Sequence, residues 1–126
     1  MAFCLLGVEY SEKVLSLPSR KNAKTLTYAA FLASLEQPVP PASLPALLQS
    51  LWWDRKGDWH QAHELADIPG APAAWVHAYL HRKEGDPGNA AYWYRRAGKP
   101  VSEASLYREW EQITLALLEA QPDGAH

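Results

Sequence analysis

The sequence predicts an all-α protein, a compact bundle of five or six helices that includes two stacked αα-hairpins. Three observations lead to this prediction. Apolar residues recur at helical intervals from Leu44 to Leu117. No stretch sustains the apolar–polar alternation of a half-buried strand. A pattern that ends one helix at Gly-Asp and begins the next occurs twice, at Gly57 and again 28 residues later at Gly85.

The composition indicates a globular domain and argues against several other classes of protein. Hydrophobic residues make up 48% and charged residues 21% of the 126 residues, which is typical of a globular domain. The net charge of −2 argues against a nucleic-acid-binding protein, for which a basic stripe is expected. The lone Cys4 excludes an internal disulfide and a cysteine-based zinc site. No apolar run is long enough to cross a bilayer, so we expect a cytoplasmic protein that does not bind membranes.

The N-terminal part divides into an arm and a first helix. Residues 1–21 show no sustained period and are predicted to form a loosely attached arm, whereas residues 22–126 form a single helical domain. Residues 22–37 carry apolar side chains near helical intervals. Prolines at 38, 40 and 41 end this helix, because proline has no N–H to donate.

The repeat core is predicted over about residues 44–98. Its first helix follows Ser43, a suitable N-cap, and carries an amphipathic stripe of Leu44, Leu47, Leu48, Leu51 and Trp52. Asp58 caps a second helix to about residue 66, and a third runs over about residues 73–83. Asp86 and Pro87 open a fourth helix to residue 97. A last helix is predicted from Ser102, with a stripe of Leu106, Trp110, Ile113 and Leu117.

The internal repeat resembles known families of helical repeats. Residues 51–62 align with residues 79–90, and the aligned pairs are Gly57 with Gly85, Asp58 with Asp86 and Ala62 with Ala90. The second copy, with Ala78, Ala90, Tyr94 and Ala97 at packing positions, resembles the tetratricopeptide and Sel1-like repeat class, and residues 75–98 also resemble a group of small bacterial proteins. The resemblance implies stacked hairpins, with the flanking helices as caps, and the binding of a partner protein or peptide.

Histidines are the least ordinary residues of the repeat region. His77 and His81 have i, i+4 spacing and share one helix face, where the related repeats carry Leu and Tyr. The neighbouring Ala74 and Ala78 are too small to shield them. Such a pair can bind a transition metal, with His63 as a third ligand. There are two alternatives: histidines that pack between helices, which is the commoner arrangement in proteins, and histidines that line a polar groove.

Aromatic and arginine residues extend the candidate site. The chain has 6 Trp and 6 Tyr against 2 Phe, a composition that suits both helix packing and a binding groove. Trp75 and Tyr92 fall off the strongest apolar stripes, and Arg82 lies near them in sequence. The predicted binding residues are therefore His63, Trp75, His77, His81, Arg82 and Tyr92.

Motifs of the common catalytic sites are absent from the sequence: there is no phosphate-binding glycine loop, nucleophile elbow or His-Glu-x-x-His motif. The leading hypothesis is therefore a non-enzymatic interaction or ligand-binding module without a cofactor. The alternative is a small metal-binding protein or metal-dependent enzyme that uses His63, His77 and His81.

Overall fold

The computed structural model describes residues 26–120, and the only regular secondary structure in this part of the chain is helix, which confirms the predicted all-α class. The six helices are α1 (Tyr28–Ser34), α2 (Ala46–Arg55), α3 (Trp59–Leu65), α4 (Ala71–Lys83), α5 (Pro87–Ala97) and α6 (Leu106–Ala120). Residues 27–120 form one compact unit. The predicted arm and its boundary at residue 21 lie outside the described residues. None of the six helices is long and apolar enough to cross a membrane.

The central four helices form two αα-hairpins, α2 with α3 and α4 with α5. Both turns are built alike. Gly57 and Gly85 have φ angles of 95° and 90°, which a residue with a Cβ atom rarely adopts. The following aspartates each cap the next helix: Asp58 accepts from the Gln61 N–H at 3.0 Å, and Asp86 accepts from the Asn89 N–H at 3.1 Å. The two predicted Gly-Asp turns and their aspartate caps are therefore confirmed.

The last helix closes the core over both hairpins. Trp110 of α6 is fully buried, and its Nε1 donates to the Leu51 carbonyl of α2 at 3.0 Å. Phe31, the one buried residue of α1, packs beside the Trp110 ring at 6.0 Å between ring centroids. Two alanines, Ala62 and Ala90, are buried, as the repeat predicts.

Three helices correct the sequence-based boundaries. Helix α2 begins at Ala46, after Pro45, and the predicted cap Ser43 does not cap it. Helix α1 ends at Ser34, before residue 37 and the prolines that were predicted to end it. Helix α1 begins at Tyr28, and Thr27 caps it by accepting from the Ala30 N–H at 3.0 Å.

Helix α6 begins at Leu106, not after Ser102, because Ser105 caps it by accepting from the Arg108 N–H at 3.1 Å. In the predicted stripe of α6, Trp110 and Ile113 are buried, whereas Leu106 is exposed and Leu117 is only partly buried; Leu118 is buried instead.

Candidate metal centre

Three imidazoles meet between the two hairpins. His63 of α3 and His77 and His81 of α4 each offer a nitrogen, and these three atoms all lie within 4.8 Å of one another. The ring centroids are 4.6 Å apart for His63 and His77, 5.1 Å for His63 and His81, and 6.0 Å for His77 and His81. The i, i+4 spacing places two of the rings on one face of α4, and the third comes from the neighbouring helix.

Two indoles form the walls of this histidine cluster. Trp59 stacks on His63 with centroids 4.9 Å apart, and Trp93 stacks on His77 at 4.2 Å. Trp59 also ties α3 to α4, because its Nε1 donates to the Leu80 carbonyl at 2.9 Å. The rings are therefore shielded by aromatic side chains from α3 and α5. The sequence-based expectation was that Ala74 and Ala78 of α4 leave the histidines unshielded. It is wrong because the shielding side chains come from the neighbouring helices.

Burial differs among the three histidines. His77 and His81 are only 4% and 7% exposed, whereas His63 is half-buried. The Nδ1 atom of His77 is buried and has no hydrogen-bond partner among the described residues. Leaving a buried polar atom unpaired costs roughly 1–3 kcal/mol. The cluster therefore carries a local cost that side-chain packing does not explain.

A carboxylate orients one of the rings. His81 Nδ1 lies 2.7 Å from the Oε2 atom of Glu84, three residues further along the chain. We assign the proton of neutral His81 to Nδ1, which donates to the carboxylate and leaves the lone pair of Nε2 free. Glu84 is not among the predicted site residues, although its i, i+3 spacing from His81 was a usable signal.

Burial and neighbouring rings favour the neutral forms of His63 and His77. Burial lowers the pKa of His77, and the nearby His63 and His81 rings lower it further, against smaller opposing effects of the Ala66 backbone and Asp67. Burial, and then His81, lower the pKa of His63, and the carboxylates of Asp67 and Glu84 oppose this. A neutral imidazole has the lone pair that a metal ion needs, so these pKa shifts favour metal binding at neutral pH.

A second set of possible ligand atoms shares His81 with Glu84 and Asp86. Both carboxylate residues are exposed, and each already has a partner. Glu84 accepts from His81, and Asp86 caps α5 through the Asn89 N–H. The histidine cluster is the more buried of the two sets.

The other predicted site residues lie elsewhere. Trp75 and Arg82 of α4 both donate to Glu109, a fully buried carboxylate of α6, at 3.1 and 2.7 Å. Tyr94 of α5 donates to the same carboxylate at 2.6 Å, and burial followed by this hydrogen bond raises the Tyr94 pKa. The Glu109 network thus joins α4, α5 and α6. The expected surface that would combine Trp75 with the histidines does not form, because the two sets contact different helices.

Tyr92, the sixth predicted residue, lies on the outer side of α5. It is 43% exposed and accepts a hydrogen bond from Arg96 Nη1 at 3.2 Å. Its ring meets the Trp93 ring edge-on, with centroids 5.3 Å apart. Tyr92 is therefore next to a wall of the histidine cluster without being part of it.

Comparisons of the chain with protein-family models, with curated proteins and with solved structures found no match.

Proposed function

We propose that this domain is a non-enzymatic ligand-binding module and that its ligand is a divalent transition-metal ion held by His63, His77 and His81. The convergence of three imidazole nitrogens within 4.8 Å carries the proposal. Imidazole ligands suit Zn²⁺, Cu²⁺ and Ni²⁺. Nitrogens bound to zinc at about 2.0–2.1 Å lie about 3.3 Å from one another in a tetrahedral site. The three nitrogens therefore need to approach by no more than about 1.5 Å, which small side-chain rotations provide.

The cluster is poorly suited to be packing alone. The neighbouring rings disfavour protonation of His63 and His77, and the unpaired Nδ1 of His77 adds a cost that an apolar side chain would avoid. A metal ion bound by the three ligand nitrogens removes the repulsion among their lone pairs. The carboxylate of Glu84 on His81 is the arrangement that orients a ligating histidine and increases its basicity.

Calorimetric titration with zinc tests the proposal. We expect one equivalent of Zn²⁺ to bind the wild type and the variant His60→Ala. His60 is a matched control because it also lies on α3 and contacts Trp59, but it is exposed and outside the cluster. The variants His63→Ala, His77→Ala and His81→Ala should each lose most of the affinity. Equal binding by His60→Ala and these three variants would refute the site.

A second candidate function is the binding of a protein or peptide. It is supported by the exposed ring of Tyr92 and the exposed Arg95 and Arg96 on α5, since aromatic and arginine side chains are enriched at interface hot spots. Under this alternative, Tyr92→Ala should reduce partner binding and leave zinc affinity unchanged. The reverse result, in which a partner binds Tyr92→Ala as well as it binds the wild type, would exclude this surface.

The repeat family and the cellular location of the protein are also proposals. The 28-residue repeat of turns and caps supports membership of the tetratricopeptide or Sel1-like class, although that likeness concerns architecture and not function. The single cysteine supports a cytoplasmic protein, and the net charge of −2 supports one that does not bind nucleic acid. The bacterial origin is implied by the resemblance of residues 75–98 alone.

A further inference from the structure

We infer that a second binding site lies in a cleft formed by α4, α6 and the loop that joins α5 to α6, and that it takes a small ligand with an apolar ring and a carboxylate. The cleft has a volume of about 550 Å³, and small-molecule sites usually have volumes of about 300–1,000 Å³. Among the described residues no histidine lines it, so the inference is independent of the proposed metal site.

One wall of the cleft is apolar. It consists of the Trp75 indole on α4 and of Pro100, Val101 and Ala104 in the loop. Val101 is 56% exposed although its side chain is apolar, and Trp75 is only half-buried. Apolar surface that stays in contact with water is stabilised when a ligand covers it. This wall therefore favours a ligand with an apolar ring.

Hydrogen bonds hold the wall in place without a ligand. Trp75 Nε1 donates to the buried Glu109 of α6 at 3.1 Å, which fixes the indole. Arg82 pairs with the same carboxylate and also donates to the Ala104 carbonyl, which ties the loop to α4. Within the loop, the Ser102 hydroxyl accepts from the Ala104 N–H at 3.2 Å. The cleft is therefore formed before a ligand enters, which lowers the entropic cost of binding.

The charges at the cleft select an anionic ligand. Lys99 lines the cleft, and its Nζ lies 4.1 Å from the centroid of the Trp75 ring. Among residues 26–120 Lys99 forms no ion pair, whereas Arg82 already compensates the charge of Glu109 at 2.7 Å. Glu103, an exposed residue of the lining, opposes an anion. Lys99 decides the sign because its ammonium lies against the apolar wall, where it can bind the carboxylate of a ring packed on that wall.

A nuclear magnetic resonance titration of the metal-free protein tests the inference. The probe is 3-phenylpropionate, and its matched controls are 3-phenylpropanol, which lacks the charge, and acetate, which lacks the ring. The signal to follow is the indole N–H of Trp75, which is assigned by its loss in Trp75→Phe. The variants Lys99→Gln and Glu103→Gln measure the contribution of each charge. Arg95→Gln is the control variant, because Arg95 is an exposed cation of α5 that does not line the cleft.

We expect a saturable shift with 3-phenylpropionate and binding at least about threefold weaker for both control ligands. The Kd of 3-phenylpropionate should rise about two- to fivefold in Lys99→Gln, as for the loss of an exposed ion pair, and be unchanged in Arg95→Gln. It should fall about twofold in Glu103→Gln, because a repelling charge is removed. The absence of a saturable shift would overturn the inference, and so would an affinity for 3-phenylpropionate in Lys99→Gln that equals or exceeds that of the wild type. Neither result would affect the proposed metal site, because no metal is present in the titration.

Discussion

The Nδ1 atom of His81 and the Oε2 atom of Glu84 are 2.7 Å apart at the end of α4. On the same helix, the buried Nδ1 of His77 has no hydrogen-bond partner among residues 26–120. One ring is thus oriented by a carboxylate, and the other has an unpaired nitrogen. Both rings meet His63 across the hairpin boundary. A bound cation would account for the convergence of the three rings and for the carboxylate on His81, because it requires oriented, unprotonated nitrogens.

Replacement of Glu84 should weaken metal binding without removing a ligand. Glu84→Gln keeps the shape of the side chain but loses the charge that holds the Nδ1–H of His81. We expect zinc affinity to fall about 10- to 100-fold, as for other partners of ligating histidines. The measurement is a competition titration against a chelator of known affinity.

Glu64→Gln is the control for this variant, because Glu64 is an exposed carboxylate on α3, next in sequence to His63. Its affinity should match that of the wild type. If Glu84→Gln and Glu64→Gln weaken binding equally, the effect is a general loss of negative charge and not the orientation of His81.

The metal-free protein should lose stability as the pH falls. Burial lowers the pKa values of His63 and His77 below the ordinary value of 6.5, so the unfolded chain takes up protons more readily than the folded one. The contribution to stability is therefore complete above pH 6.5 and decreases as the pH falls through 6.5. Urea unfolding with a chelator present, at a series of pH values from 8 to 5, measures this dependence.

The variant His77→Leu isolates one of the two groups. It removes a titrating side chain and fills the position with the residue that the related repeats carry there. Its unfolding free energy should depend less steeply on pH than that of the wild type between pH 7 and 5.5. A slope as steep as that of the wild type would mean that protonation of His77 does not limit stability.

The Glu109 network should be a major source of stability. Glu109→Ala removes the fully buried carboxylate and leaves Arg82 and the Tyr94 hydroxyl without their shared acceptor. We expect a loss of about 3–5 kcal/mol in the free energy of unfolding, the usual cost of breaking one side of a buried ion pair. Glu119→Ala, an exposed change on the same helix, should stay within about 0.5 kcal/mol. A comparable loss in both variants would contradict this role.

Local features of the fold were predictable from the sequence, since each depends on neighbours in the chain. Asp58 and Asp86 cap helices through bonds to residues three positions away, and the glycine before each makes the turn. The start of α6 was misplaced because Ser102 and Ser105 are both acceptable caps. The choice between them depends on the packing of the whole helix, which spacing does not reveal.

The candidate site was predictable only in part. The spacing of His77 and His81 placed them on one face, and the contact with His63 was one of several open possibilities. Trp75 and Arg82 were assigned to the same surface because their common partner, Glu109, is 34 and 27 residues away and its burial is a tertiary effect. Long-range acceptors of this kind leave no periodic signal in a sequence.

The melting temperature of the wild type and of the double variant His77→Ala/His81→Ala, each with and without zinc, tests the central claim most directly. Zinc at about 100 times its Kd stabilises a folded site by about 2.7 kcal/mol, which raises the melting temperature of a domain of this size by roughly 10–20 °C. We expect this rise for the wild type and none for the double variant. If zinc leaves the wild type unchanged while the double variant melts far lower without metal, the histidines serve packing and the metal site does not exist.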